Sequence, residues 1–219
     1  MVHLGIDLRS SPKLPSAVAA LDSRGELIFL GNAHDDAELV QLIQTLQPRL
    51  VAIGTPLGLP EGLCCLETSC ECRSTMPQAK GRQLELELAR MGISCFFTNK
   101  GSIIRNLIYR GIEVRQQLQV MGFEVVEVYP HATKVILFGD RVPPKNSPLS
   151  LTFLRERLPR LIGGLAPYLP KLDRNLCDAL VNSYTAYLHA QNNTDVLGSI
   201  REGLLALPKL VPEEARVSA

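Results

Sequence analysis

Residues 3–30 read HLGIDLRSSPKLPSAVAALDSRGELIFL, and this stretch decides the fold. Its first part, residues 3–8, is an apolar run that ends at a polar cluster, as a buried strand does when it reaches the edge of a sheet. Two further apolar segments, residues 17–21 and 27–30, flank the turn-forming sequence DSRG. The sheet is therefore predicted to begin with three consecutive strands, of which the second and third form an antiparallel hairpin.

Helices and strands follow along the rest of the chain. Asp35, with Glu38 three residues later, is the signature of a helix start, and Pro48 ends that helix. The short apolar run at residues 50–53 predicts a fourth strand, so the helix is a crossover. Apolar spacing and turn residues predict the remaining elements: a helix through Leu84 and Leu88, strands at 93–97 and 125–129, a helix after Ser102 that Gly111 interrupts, helices at 151–161 and 175–189, and an edge strand at 203–207.

Together these elements predict an α/β fold with a mixed sheet. Three antiparallel strands are followed by parallel strands, and helices cover both faces. With 219 residues and 46% hydrophobic content, the chain can bury a full core. We expect a single domain over residues 1–212, with a Cys-rich insertion at about 61–76 and a tail at 213–219.

Charge and hydropathy limit the partners. The formal net charge is +1, so contact with nucleic acid needs a local patch rather than a field over the whole molecule. No apolar run approaches the roughly 20 residues of a membrane span, and the N-terminal sequence lacks a basic start followed by an apolar stretch. We therefore expect no membrane contact and a cytoplasmic location. The basic residues of one region do not keep one helical face, which favours a solvated surface: Lys100, Arg105, Arg110 and Arg115.

Asp7, Glu127 and Asp178 are acids that lie alone in apolar segments. A buried carboxylate is unfavourable unless it is paired, hydrogen-bonded or bound to a cation. An arginine or backbone amides can satisfy each acid separately. If the three converge, their mutual repulsion requires a cation, and hard oxygen ligands favour magnesium or manganese. Such a cluster suits hydrolysis at phosphorus, because the metal activates water and stabilises charge on the phosphodiester oxygens.

The predicted order of elements is the ribonuclease H-like plan: an antiparallel start with Asp7 on its first strand, a helical crossover, a fourth strand and a late helix with Asp178. The sequence also resembles the family catalogued as domain of unknown function 429, described as predicted nucleases with that fold. The matching pieces run along nearly the whole chain, and their order and spacing are more specific than any one of them: Gly5-Ile6-Asp7, residues 55–60, the helix at 81–93, Glu127-Val128-Tyr129-Pro130, Asp178-Ala179-Leu180 and residues 202–208.

The resemblance implies a metal site from Asp7, Glu127 and Asp178, with polar help from Arg82 and Glu85. Arg82 can instead simply pair with Glu85 one helical turn away. Related members often carry Asp at the position of Gly54, at the end of the fourth strand. The absence of that acid counts against catalysis by two metal ions. The list of predicted catalytic residues is Asp7, Glu127, Asp178, Arg82 and Glu85.

Four of the six cysteines crowd into CCLETSCEC, residues 64–72. Cys64, Cys65, Cys70 and Cys72 can hold zinc or an iron-sulfur cluster as a second metal site, because four thiols on one loop exceed what core packing needs. An adjacent pair and a Cys-x-Cys step fit no usual ligand spacing, however. Reversible oxidation and a loop disulfide are equally open. His131, directly after the Glu127 strand, is either a loop histidine or a metal ligand or proton carrier.

The preferred hypothesis is a metal-dependent nuclease-like protein that hydrolyses phosphodiesters and uses magnesium or manganese. One alternative is a ribonuclease H-like domain without catalysis that binds nucleic acid or protein, which the glycine at position 54 favours. Another is a metal or redox sensor built on the cysteines. The sequence leaves open the oligomeric state and whether the substrate is DNA, RNA or a small phosphate ester.

Overall fold

The computed structural model describes residues 1–76, 78, 80–144 and 147–209. The predicted tail at 213–219 lies outside these residues. The strands are β1 (His3–Asp7), β2 (Ser16–Leu21), β3 (Leu27–Ala33), β4 (Leu50–Ile53), β5 (Glu124–Val128), β6 (Thr194–Ser199) and β7 (Gly203–Pro208). The helices are α1 (Asp36–Leu46), α2 (Gln83–Arg90), α3 (Arg105–Val120), α4 (Pro130–Phe138), α5 (Leu149–Arg157) and α6 (Arg174–Ala190). Among the described helices, none is long and apolar enough to cross a membrane.

The described strands form one sheet in the order β3-β2-β1-β4-β5-β7-β6. The pairs β1–β2, β2–β3 and β6–β7 are antiparallel, whereas β1–β4, β4–β5 and β5–β7 are parallel. A hairpin-connected start next to parallel strands is the mixed sheet that the sequence predicts. The α/β, ribonuclease H-like fold class is therefore confirmed.

Helices pack on both faces of this sheet. The helix α6 packs with α5 on the face that carries Ala17, Ala19 and Leu21 of β2. The helices α1 and α3 pack on the other face, against Leu4 and Ile6 of β1. Because side chains alternate between the two faces along each strand, neighbouring residues pack into the cores on opposite faces of the sheet.

Gly5 sets how closely α6 approaches the sheet. A Cβ atom at residue 5 would lie 2.1 Å from the backbone nitrogen of Ser183 and 2.4 Å from the carbonyl oxygen of Ala179. The backbone of α6 thus occupies the space of a missing side chain on β1. Asp7 lies two residues further along the strand and therefore points to the same face.

The predicted helix start at Asp35 agrees with the structure, in which its carboxylate caps α1, and Asp173 caps α6 in the same way. The apolar run at residues 93–97 is not a strand, because its backbone bonds to α2 and to Tyr129 instead of a neighbouring strand. Ile93 donates its backbone N–H to the carbonyl oxygen of Leu88, and the Tyr129 hydroxyl donates to the carbonyl oxygen of Ser94. Gly111 does not interrupt α3. A Cβ there would lie 2.6 Å from the Cγ2 atom of Thr55, so glycine lets α3 pack against the loop after β4.

The end of the sheet differs from the prediction. The predicted edge strand is β7, which lies between β5 and β6 and is an inner strand. The edge is β6, whose sequence TDVLGS lacks an apolar run because much of it faces solvent. The helix α4 was not predicted, although Pro130 at its first position favours a helix start.

Candidate functional site

A cavity of about 700 Å³ lies where β1, β4 and β5 end. Ligands bind at the carboxyl ends of strands in many α/β folds. The predicted catalytic residues all line this cavity: Asp7, Arg82, Glu85, Glu127 and Asp178. Three further basic side chains also line it, namely Arg9, His131 and Lys134. The structure thus brings together acids that lie up to 171 positions apart in the sequence, as the numbers of Asp7 and Asp178 give.

Arg82 lies between two acids and is only 1% exposed. Its two terminal nitrogens donate to the two oxygens of Glu127 at 2.8 and 2.7 Å. Its Nε atom donates to Oε1 of Glu85 at 2.9 Å. Burial lowers the pKa of Arg82, but the charges of Glu127 and Glu85 outweigh that effect and raise the pKa above its ordinary value. The guanidinium therefore stays charged.

Glu85 is held by more than Arg82. The backbone nitrogen and the hydroxyl of Thr98 donate to its two oxygens at 2.7 and 2.5 Å. The backbone nitrogen of Arg82 donates to Glu85 as well, at 3.1 Å. The alternative that Arg82 pairs with Glu85 is therefore observed, together with the pair to Glu127. With so many donors, Glu85 orients Arg82.

Asp178 lies on α6 and pairs with a lysine. The Nζ atom of Lys134 on α4 donates to Oδ1 of Asp178 at 2.7 Å, and both side chains are buried. Lys134 is a candidate site residue that the sequence analysis missed. It is the only charged residue in the segment PHATKVILF, and the same criterion identified Asp178.

Asp7 ends β1 and is half-buried. Two contacts of neighbouring residues on this part of the chain determine where Asp7 lies relative to Asp178. Gly5 lies against Ala179, the neighbour of Asp178, and Arg9 donates to Oδ1 of Asn175 at 2.9 Å. These contacts place the end of β1 beside the first turns of α6.

The donor chemistry of the cavity can be tested against a metal ion. Carboxylate oxygens are the ligands that magnesium and manganese prefer. Both oxygens of Glu127 already accept hydrogen bonds from Arg82, and Oε2 also accepts one from the backbone nitrogen of Leu57 at 2.7 Å. Glu127 therefore has little remaining acceptor capacity. Asp7 and Asp178 offer the oxygen chemistry that such an ion needs, and an ion at this site would compete with Lys134 for Asp178.

The position of Gly54 does not favour a second ion. A Cβ atom at residue 54 would lie 2.4 Å from Nδ2 of Asn182, which donates to the carbonyl oxygen of Ile6 at 2.9 Å. Asn182 on α6 thus fills the space that an acid would need. The fold therefore leaves no room at residue 54 for an acid that could help to hold a second ion.

Two other side chains at the cavity, Tyr129 and Cys95, are poor acids near neutral pH. Burial raises the pKa of Tyr129 to about 12 and the pKa of Cys95 to about 11. Both therefore remain protonated. His131 lies in the first turn of α4 rather than in a loop, and its ring packs edge-on against Tyr129. Its proposed role as ligand or proton carrier stays a prediction.

The cysteines of residues 64–72 come together in the fold. The sulfur atoms of Cys64, Cys65, Cys70 and Cys72 all lie within 4.8 Å of one another, a cluster that can hold a metal ion. Backbone hydrogen bonds from Cys64 and Cys65 lower the pKa of Cys72 to about 6. Hydrogen bonds with Cys72 and Cys70 raise the pKa of Cys64 to about 12. Cys72 therefore loses its proton more readily than Cys64.

Comparisons with known proteins add little to this geometry. No protein-family model matches the chain, so the resemblance to domain of unknown function 429 stays a prediction. No curated protein matches it. Among solved structures, a Thermus thermophilus RuvC structure is similar at 15% sequence identity and a TM-score of 0.45, and the match covers 88% of this chain and 97% of that chain. The fold assignment rests on the strand order and pairing of this chain itself.

Proposed function

We propose that the protein is a metal-dependent nuclease-like enzyme that hydrolyses phosphodiesters, with Asp7, Glu127 and Asp178 as the acids of its site. The observation that supports this proposal is the convergence of these three acids on one cavity at the carboxyl ends of β1 and β5. Buried charged groups that meet in a cavity are typical of functional sites.

The three acids have different roles in this proposal. Asp7 and Asp178 would hold one magnesium or manganese ion, which would activate water and stabilise charge on the phosphodiester. Glu127 would stay paired with Arg82 and fix the wall of the cavity. Lys134 would release Asp178 when the ion binds, and its ammonium would then be available to a phosphate oxygen.

Calorimetric titration of manganese at neutral pH tests the site. Wild type should bind one ion, whereas Asp7→Asn and Asp178→Asn should each lose binding while remaining folded. Asp195→Asn, on the exposed edge strand β6, is the control and should bind as wild type does. Hydrolysis of single-stranded DNA, RNA and a small phosphate diester, measured with and without manganese, then identifies the substrate class.

The two results have separate meanings. If wild type binds no manganese with or without nucleic acid, the metal site is wrong. If it binds manganese but hydrolyses none of these substrates, the proposed activity is wrong.

A second candidate is a binding module without catalysis. The buried ion pairs Arg82–Glu127 and Lys134–Asp178 favour it, since a carboxylate in such a pair has less capacity to bind a metal ion. This candidate predicts that the protein binds nucleic acid or a protein partner, that chelators do not change the affinity, and that no substrate is cleaved. Metal-dependent cleavage that is lost in Asp7→Asn would exclude it.

A further inference from the structure

The cysteines lie in a loop without a core of its own. Residues 61–75 contain neither helix nor strand, and Leu66 is their only fully buried side chain. Irregular loops of this length are uncommon in compact domains, and ordering each residue costs about 1–2 kcal/mol of conformational entropy. Burial of one leucine cannot offset that cost. Another interaction must hold the loop.

The base of the loop is closed. The backbone nitrogen of Thr75 donates to the carbonyl oxygen of Glu61 at 2.8 Å. Gly62 has φ +88°, and a Cβ atom there would lie 2.5 Å from the carbonyl oxygen of Arg73. The two ends of the loop therefore meet at Gly62, and the cysteines lie inside the closed ring.

We propose that Cys64, Cys65, Cys70 and Cys72 bind one zinc ion in a closed, structural site that holds this loop together. Zinc in structural sites takes four ligands in a tetrahedron with Zn–S bonds of about 2.3 Å, so its sulfur atoms lie about 3.8 Å apart. The sulfurs of Cys64 and Cys70 are 3.6 Å apart, and all four lie within 4.8 Å of one another.

A single ion fits this geometry better than an iron-sulfur cluster. The sulfur ligands of a cluster surround two or more irons and must be spread more widely than those of one ion. Binding releases the protons that the thiols carry, and no electron transfer is needed. The site with four thiolates is negative overall, and Lys100, which donates to the carbonyl oxygen of Cys70, lies beside it.

The loop also supports one wall of the cavity. The backbone nitrogen of Gly101 donates to the carbonyl oxygen of Leu66 at 3.0 Å, and the Tyr109 hydroxyl accepts from the backbone nitrogen of Leu66 at 2.6 Å. Ile103 and Ile104, which follow Gly101, line the cavity. An ion in the loop would therefore steady the start of α3 without touching the acids.

Cobalt(II) and zinc titration of the full chain tests the proposal. The protein is stripped with a chelator and reduced with a phosphine, and cobalt is added without oxygen. Wild type should take up one equivalent with the visible and charge-transfer absorption of a tetrahedral thiolate site, and zinc should displace it. Cys70→Ser and Cys72→Ser should each weaken zinc binding roughly a hundredfold or more, because each removes a direct ligand of the ion. Loss of a residue that only orients a ligand has a smaller effect. Cys95→Ser, outside the loop, should bind as wild type does.

Three outcomes would overturn the zinc site. The first is that reduced wild type shows no thiolate spectrum, and the second is that both serine variants bind zinc with wild-type affinity. The third is that the purified chain has disulfides in the loop and that its reduced form binds no cobalt. The last outcome would assign the loop to thiol redox chemistry. Asp7→Asn should retain the thiolate spectrum, so failure of the zinc site and failure of the proposed nuclease site can be told apart.

Discussion

Arg82 connects two acids whose pairing the sequence does not reveal. Glu85 is one helical turn away, but Glu127 comes 45 residues later and lies on another element. An arginine has donors in a fixed fork, so one side chain can bind Glu127 through its two terminal nitrogens and Glu85 through Nε. A lysine offers one point charge in place of this fork.

Replacing Arg82 should therefore destabilise the protein strongly. Arg82→Met leaves two buried carboxylates without a cation and should lower the free energy of unfolding by about 3–5 kcal/mol. Arg82→Lys should fall between Arg82→Met and wild type, because one ammonium cannot reach both acids fully. Urea unfolding at neutral pH measures the effect. Arg90→Lys, on the exposed end of the same helix, is the control and should change stability little. Wild-type stability in Arg82→Lys would contradict the role of the fork.

The candidate site residues differ in how well the sequence reveals them. Asp7, Glu127 and Asp178 are visible as lone charges in apolar segments. Lys134 meets the same criterion but lies in a helix that was not predicted. Long-range pairing is not encoded in local spacing, so the sequence predicts which acids need partners but not which cations supply them.

At the scale of elements, the contact of β1 with α6 positions Asp7 relative to Asp178. Gly5→Ala would place a methyl group 2.1 Å from the backbone of α6, and backbone atoms cannot rotate away. Overpacking of this kind costs about 1–3 kcal/mol, and here α6 must also shift. We expect a lower free energy of unfolding and weaker manganese binding in Gly5→Ala.

The control for this prediction is Gly31→Ala on β3. A methyl group there would lie 3.1 Å from the ring of Phe29, a partly buried side chain that can move. Urea unfolding and manganese titration of both variants separate a local packing effect from a general intolerance of glycine replacement. Equal stability and equal manganese binding of the two variants would show that the contact of Gly5 with α6 determines neither property.

An apolar run is neither sufficient nor necessary for a strand in this sheet. The strand β6 has exposed residues such as Val196 and forms because β7 pairs with it. Residues 93–97 are apolar enough for a strand but have none beside them among the described residues. Pairing decides these segments, and pairing is a property of the whole sheet.

At the scale of the whole molecule, His3 links stability to pH. It lies at the start of β1, is 4% exposed and packs edge-on against Tyr187 of α6 with the ring centres 5.9 Å apart. Its Nδ1 atom has no hydrogen-bond partner within the described part of the chain. Burial is the main cause that lowers the pKa of His3, and the N-terminal amine and Arg49 add to it, whereas Asp22 acts in the opposite direction.

Because the folded state disfavours the charged imidazole, the unfolded chain binds more protons at mildly acidic pH. The contribution of His3 to stability is therefore present above the ordinary pKa of 6.5 and is lost as the pH falls from there through the lowered value in the folded state. His3→Phe keeps an aromatic ring but cannot titrate, so its free energy of unfolding should fall less between pH 7.5 and pH 5 than that of wild type. Urea unfolding at both pH values measures the difference, and His34→Asn, at an exposed position before α1, should retain the wild-type drop. The same drop in His3→Phe would mean that carboxylates of the molecule, and not this histidine, cause its acid sensitivity.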